Sequence, residues 1–209
     1  PLTVIHYKIF GDQGLASYFG AIVAINSASE INSTIINMSW GIPQERIPLA
    51  LQCAVTRAEK SGIAIVTTAG NEGQSIDLNP QWPGAFSDPV FKFSNLLTVG
   101  SMAYPEFDLN QEPVKVDYSN FSATRVDVAA YLTSATPRWR TTSLDDVNYL
   151  AGTSISAPIV TRSLASYLGP NGRNLPQWVS DKLQTSSPLE VQGFVQNGYY
   201  LPLCEDILD

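Results

Sequence analysis

Histidine is almost missing from this chain: His6 is the only one in 209 residues. Protein zinc sites draw three or four ligands from His, Cys and carboxylates, and Cys53 and Cys204 stand alone without the close spacing of a metal-binding pair, so zinc chemistry is not expected. A single disulfide between them is arithmetically open, although Cys53 sits in an apolar helical pattern that suits a buried free thiol. Charge is scarce as well. Charged residues are 15% of the total, against roughly 25% in an average soluble protein. The 12 basic and 19 acidic residues leave a formal net charge of −7, which is no footprint for a phosphate backbone or an anionic bilayer. Neither nucleic acid nor membrane is expected as a partner. No apolar run reaches the roughly 18 residues of a membrane span. Pro1-Leu2-Thr3-Val4 has neither the basic start nor the cleavage site of a signal peptide. An initiating Met is also missing, which raises the expectation of a trimmed or partial product.

What is present is apolar and well punctuated. Hydrophobic residues are 44% of the chain, with 14 Gly and 14 Pro, a composition that excludes disorder and coiled coil as the main state. Val4–Phe10 alternates and is followed by the turn signal Gly11-Asp12-Gln13-Gly14, so a strand is predicted there. Leu15, Tyr18, Phe19, Ile22 and Ile25 recur at helical spacing. Thr34–Ser39 reads as a strand and Pro48–Ala58 as a helix closed by Gly62. Ile63–Thr68 reads as a strand buried on both faces. Further strands are predicted at Leu96–Gly100 and Val126–Ala129, with an Asn/Pro-rich loop between Asn79 and Pro89. A helix from Ser154 to Leu168 stops at Gly169-Pro170, and a last helix starts near Pro176. This alternation predicts an α/β fold, a parallel sheet flanked by helices, as a single domain over residues 1–209. Ligands of such sheets gather at the carboxyl ends of the strands.

Three segments carry chemistry at that edge. Gly152-Thr153-Ser154-Ile155-Ser156-Ala157-Pro158 opens a helix on a serine, beside unpaired N–H groups and the positive end of the helix dipole. That setting suits a nucleophile whose attack creates an oxyanion, although plain N-capping produces the same letters. Thr68-Ala69-Gly70-Asn71-Glu72-Gly73 delivers an asparagine amide from a buried strand into a Gly-flanked loop. There it could donate to a developing negative oxygen or merely make a turn. Asn37-Met38-Ser39-Trp40-Gly41 ends a strand at the same edge.

In this order, Asn-Met-Ser-Trp-Gly at 37–41, Ala-Gly-Asn-Glu-Gly at 69–73, Leu-Thr-Val-Gly at 97–100, Tyr-Ser-Asn-Phe-Ser and Val-Asp-Val-Ala within 118–129, and Gly-Thr-Ser at 152–154 resemble the subtilases, the subtilisin-like serine proteases. The resemblance implies that Ser154 is the nucleophile. It also implies that Asn71 and the Ser154 backbone N–H form an oxyanion hole. Peptide would bind as an added strand against Ser39, Trp40, Gly41, Ala69 and Gly70, which wall the main specificity pocket. Trp40 also suits a buried core position. The uncharged edge around it points to apolar substrate side chains. Calcium is common in the family, but no acidic cluster defines a site, and no cofactor is expected. An acidic surface poor in Lys leans toward a secreted or extracytoplasmic setting.

The pattern breaks in one place. A subtilase triad runs Asp, His, Ser along the chain, and the family's Asp and His motifs would precede the strand matched by Val4–Phe10; neither motif is present. His6 falls within the predicted first strand, as a side chain of a sheet edge or face. Without a base the hydroxyl is a weak nucleophile, and loss of the histidine in subtilisin costs about 10⁶ in turnover. In the family the Asp-bearing strand lies between the strands matched by Val4–Phe10 and Thr34–Ser39. The expectation is therefore an incomplete catalytic domain, inert alone, whose sheet carries a gap to be filled by an N-terminal segment or companion chain. The rival reading is a pseudoprotease that keeps the groove as a binding module. Ile159 and Ile155 also resemble the sedolisins, a Ser-Glu-Asp group, although Asn71 stands where those place an Asp.

Overall fold

The computed structural model describes residues 3–91, 93–105, 108, 110–131, 139–140, 147–148, 152–171, 175–186, 189 and 193–202. Along the chain run helices α1 (Tyr18–Glu30), α2 (Leu49–Lys60), α3 (Thr153–Asn171) and α4 (Leu175–Lys182). The strands are β1 (Ile35–Met38), β2 (Ile42–Pro43), β3 (Ala64–Thr68), β4 (Gln81–Trp82), β5 (Leu96–Ala103), β6 (Val114–Lys115), β7 (Val128–Tyr131), β8 (Trp139–Arg140), β9 (Val147–Asn148), β10 (Gln184–Thr185) and β11 (Tyr199–Leu201). The main sheet has the order β1-β3-β5-β7-β11-β10, with β6 added to β5. Its first five strands are mutually parallel, and β10 and β6 join antiparallel. Two small antiparallel pairs, β2 with β4 and β8 with β9, lie outside it.

Side-chain alternation on the central strands divides the core in two. Ala64 and Val66 of β3, with Leu97 and Val99 of β5, face Ala157, Val160, Leu164 and Leu168 of α3 and Trp178 of α4. Ile65 and Leu96 face the opposite way, into a cluster with Ile25 of α1, Leu51, Val55 and Ala58 of α2, Trp82 and Phe86. The apolar run of β3 is thus buried on both faces, as its composition demands. Ser17 caps α1, its Oγ accepting from the Gly20 N–H at 3.0 Å. Cys53 is exposed and free, contrary to the predicted buried thiol. The buried stripe of α2 is Leu51, Ala54, Val55 and Ala58, and a residue between Leu51 and Ala54 turns away from it. Cys204 lies outside the described residues. The predicted stop at Gly169-Pro170 falls inside α3, whose last residue is Asn171. A proline so close to the end removes only one backbone bond from a turn already fraying.

A further departure is at the start of the chain. Val4–Phe10 forms no strand; Phe10 makes one isolated bridge to Ala16. A strand exists only through its partner, and β1, the outermost strand of the sheet, is held away from this segment by a cavity of about 960 Å³. Thr3–Phe10 lines one side of that slot and Ser33–Trp40 the other, with Ala21 and Ile25 of α1 and Pro158, Thr161 and Arg162 of α3 completing the walls. Val4 and Ile5 are left 62% and 54% exposed, the sort of apolar surface a folded chain normally covers.

The centre of the sheet, where β5 meets β7, is pinned tightly. The Asp127 carboxylate accepts from Ser87 Oγ and from the Thr98 N–H, both at 2.6 Å, while Thr98 Oγ1 donates to the Gly84 carbonyl. Desolvation pushes this carboxyl up to about 7, and the Ser87 and Thr98 hydrogen bonds oppose that rise. Among the described residues no helix is long and apolar enough to cross a membrane.

Candidate active site

Because β1 and β3 run parallel, the segments that follow them emerge at one edge of the sheet. Ser39, Trp40 and Gly41 leave β1 there, and Ala69, Gly70 and Asn71 leave β3. The N-terminus of α3 reaches the same edge. Its first turn is fastened to the sheet by Ser156, whose Oγ lies 2.8 Å from Ser101 Oγ and donates to the Ala130 carbonyl. Farther along the helix, Thr161 Oγ1 donates to Asn37 Oδ1 at 2.8 Å, and Asn37 Nδ2 donates to Ser39 Oγ at 2.9 Å. The end of β1 is therefore tied directly to the helix that bears Ser154.

Asn71 and Thr153 make the central contact. The Thr153 N–H donates to Asn71 Oδ1 at 2.8 Å and the Thr153 hydroxyl donates to the same oxygen at 3.0 Å, while Thr153 Oγ1 accepts from the Gly70 N–H at 3.2 Å. The Thr153 backbone N–H, a fixed donor, settles which way the amide lies, because turning it over would set Nδ2 against that hydrogen; the rotatable hydroxyl adds a second bond to the same oxygen. The Asn71 NH₂ group is thereby directed to the other side, where Gly152 passes beneath it. A methyl on Gly152 would stand 3.2 Å from Nδ2, and its φ of +134° is open to glycine alone. Ser154 is half-buried and follows Thr153 directly, and its backbone N–H belongs to the first turn of α3, where no helical acceptor exists. A half-buried hydroxyl, an oriented amide donor and a helix-start N–H without a partner among the described residues thus share one small region.

The loop that carries Asn71 is held from behind by Asn120, which is fully buried. Its Oδ1 accepts from the N–H groups of Glu72 (3.1 Å) and Gln74 (2.9 Å). Its Nδ2 donates to the Ala69 carbonyl (3.0 Å) and to Glu72 Oε2 (2.6 Å), and its own N–H donates to the Gly70 carbonyl. Glu72 Oε2 also accepts from the Asn71 N–H and from Gln81 Nε2. The sequence motif at 118–122 contained Asn120 but gave it no part. What it does depends on contacts nearly fifty residues away along the chain, which no local pattern encodes.

The remaining expected residues are placed as follows. Trp40 is half-buried and packs against the core cluster of Met38, Leu51 and Trp82, while also bordering the slot. Ala69 is fully buried and Gly70 half-buried, and Gly41 is exposed across from them. His6 is exposed on the slot wall, and no His or carboxylate among the described residues is hydrogen-bonded to Ser154. Nor is any group of three or more His, Cys, Asp or Glu side chains among the described residues placed to hold a metal ion.

Known proteins resemble the chain in sequence and in fold. The chain is 25% identical over 93% of its length to "Subtilisin-like protease 2" of Pseudogymnoascus destructans, and 29% identical over 74% to the "Major intracellular serine protease" of Bacillus subtilis. It spans 44% and 43% of those proteins, less than half of either. Among solved structures, a cold-adapted subtilisin-like serine proteinase superposes over 94% of the chain and 66% of its own, with a TM-score of 0.66 at 20% identity. A lanthipeptide protease covers 94% and 67%, with a TM-score of 0.67 at 18% identity; both likenesses are of fold. The model of the subtilase family matches residues 2–195, and the chain belongs to that family of subtilisin-like serine proteases.

Proposed function

We propose that this chain is the nucleophile-bearing portion of a serine endopeptidase that cleaves peptide bonds through an acyl-enzyme on Ser154. The observation that carries the reading is the doubly pinned Asn71 oxygen, which leaves the amide N–H as a donor beside Ser154. An N-capping serine has no use for such a donor, whereas a tetrahedral intermediate does. Ser154 Oγ attacks the substrate carbonyl carbon and gives its proton to a base. The carbonyl oxygen becomes the oxyanion and accepts from Asn71 Nδ2 and the Ser154 N–H. Collapse then expels the amine, which takes the proton, and water hydrolyses the ester. Substrate lies extended along Ser39-Trp40-Gly41 and Ala69-Gly70.

The base and its aspartate come from an upstream segment or companion chain, and the slot beside β1 is where that partner docks. A strand entering there parallel to β1 would end at the edge shared by Ser39 and Trp40, next to Pro158 of α3. A fluorophosphonate probe tests both halves of the proposal. Ser154 should label rapidly in the completed protein and barely in the isolated chain. Equal labelling of both would overturn the account of the missing base, and labelling of neither would remove Ser154 as nucleophile. The alternative of a binding module without chemistry draws on one observation, that Ser154 has no base among the described residues. It leaves the orientation of Asn71 without a purpose.

A further inference from the structure

The space between Gly41 and Gly70 is already occupied. A methyl placed on Gly41 would stand 3.2 Å from Gln81 Oε1; one placed on Gly70 would meet Asn120 Nδ2 and Glu72 Oε2 first and stand 3.3 Å from Gln81 Cγ, so the Gln81 side chain touches both glycines. Gln81 is only 3% exposed. Its position follows from the small β2–β4 ribbon, in which Gln81 sits opposite Pro43, two residues beyond Gly41. Its neighbour Trp82 anchors that ribbon in an aromatic cluster with Phe86 and Phe91, and the Trp82 Nε1–H donates to the Gln44 carbonyl. Successive strand residues point to opposite faces, so anchoring Trp82 in the core turns Gln81 back toward the two glycines. The far end of the side chain is held too, because Nε2 donates to Glu72 Oε2, itself fixed by Asn120 and the Asn71 N–H.

We infer that Gln81 plugs the main specificity pocket, so that the enzyme accepts only small side chains, those of Gly, Ala or Ser, on the acyl side of the scissile bond. This rests on the protease reading above and narrows it to a substrate class. Expelling Gln81 to admit a large residue would break its hydrogen bond to Glu72 and expose an amide that is now buried, whereas a methyl or hydroxymethyl group leaves the plug in place. The apolar preference expected from the uncharged edge around Trp40 omitted Gln81, which reaches Gly41 only through the fold.

The test uses the completed protein and two peptidyl phosphonates that differ only in the acyl-side residue, alanine or phenylalanine, with Ser154 modification followed by mass spectrometry. The alanine reagent should react at least about ten-fold faster, the scale on which pocket size discriminates side chains. Gln81→Gly should abolish or reverse that ratio. A phenylalanine reagent as fast as the alanine one in the unaltered protein overturns the plug, and so does a folded Gln81→Gly protein with an unchanged ratio. The unaltered ratio decides the matter even if the variant fails to fold. A generic fluorophosphonate run alongside separates the two failures: if it leaves Ser154 unmodified, the protease reading itself falls.

Discussion

Two regions of the molecule are built in opposite ways. Behind Asn71 the 69–74 loop is fastened by hydrogen bonds with Asn120, Glu72 and Thr153. Beside β1, a few residues away, lies an open slot of about 960 Å³ lined by apolar side chains and an unpaired strand edge. One region is finished by this chain alone, and the other has the form of a site awaiting a strand. The difference teaches where the chain is self-sufficient: it fixes the Asn71 amide by its own contacts, whereas the outer edge of β1 has no partner strand among the described residues.

That contrast can be broken by experiment. The largest effect belongs to Asn71→Ala in the completed protein. Turnover should fall about 10²–10³-fold, the loss measured for the oxyanion-hole asparagine of subtilisin itself, with little change in substrate binding. Unchanged turnover would remove Asn71 from the oxyanion role. Asn120→Ala should follow, destabilising the fold by about 3 kcal/mol in urea unfolding because it strands the Ala69 carbonyl and the Glu72 and Gln74 N–H groups. A loss below about 0.5 kcal/mol would mean that the loop is not held from behind.

Asp127 supplies a pH dependence at the centre of the sheet, where β5 meets β7. Its folded-state value of about 7 stands above the ordinary 3.8, so the folded chain holds a proton that the unfolded chain has released. Stability from this group is complete below about pH 4 and is lost as pH rises through 7. Asp127→Asn should flatten that part of the melting-temperature profile, and parallel profiles for the two proteins would contradict it. The smallest effect is expected at the slot: Ile5→Ser should change the stability of the isolated chain by under about 0.5 kcal/mol. In the completed protein it should cost more, because only there is the side chain covered. Equal small effects in both settings would argue that nothing docks on that wall.

Much of this was legible in the sequence, for physical reasons. Apolar runs such as Ile63–Thr68 and the periodic face of α2 need no distant information, and β3 and α2 lie where their patterns place them. The edge that gathers Asn71 and Ser154 follows from parallel strands. Val4–Phe10 shows the limit, since alternation proposes a strand but only a neighbouring edge makes one. Tyr199–Leu201 shows another: three residues inserted beside β7 after the last helix carry too little pattern to reveal their place in the sheet. Gln81 and Asn120 were hidden because their roles are wholly matters of tertiary contact. Cys53 was misjudged because an apolar helix was read without fixing which of its faces turns inward.

The hydrogen bonds from Thr153 to Asn71 span 82 residues of sequence. A growing chain therefore leaves the Asn71 amide without its orienting partner until the segment beyond residue 150 has emerged and closed that long loop, a step that costs chain entropy before any contact offsets it. The Asn71 amide is oriented by the same helix that carries Ser154, so on the proposed reading the donor and the nucleophile come into being together.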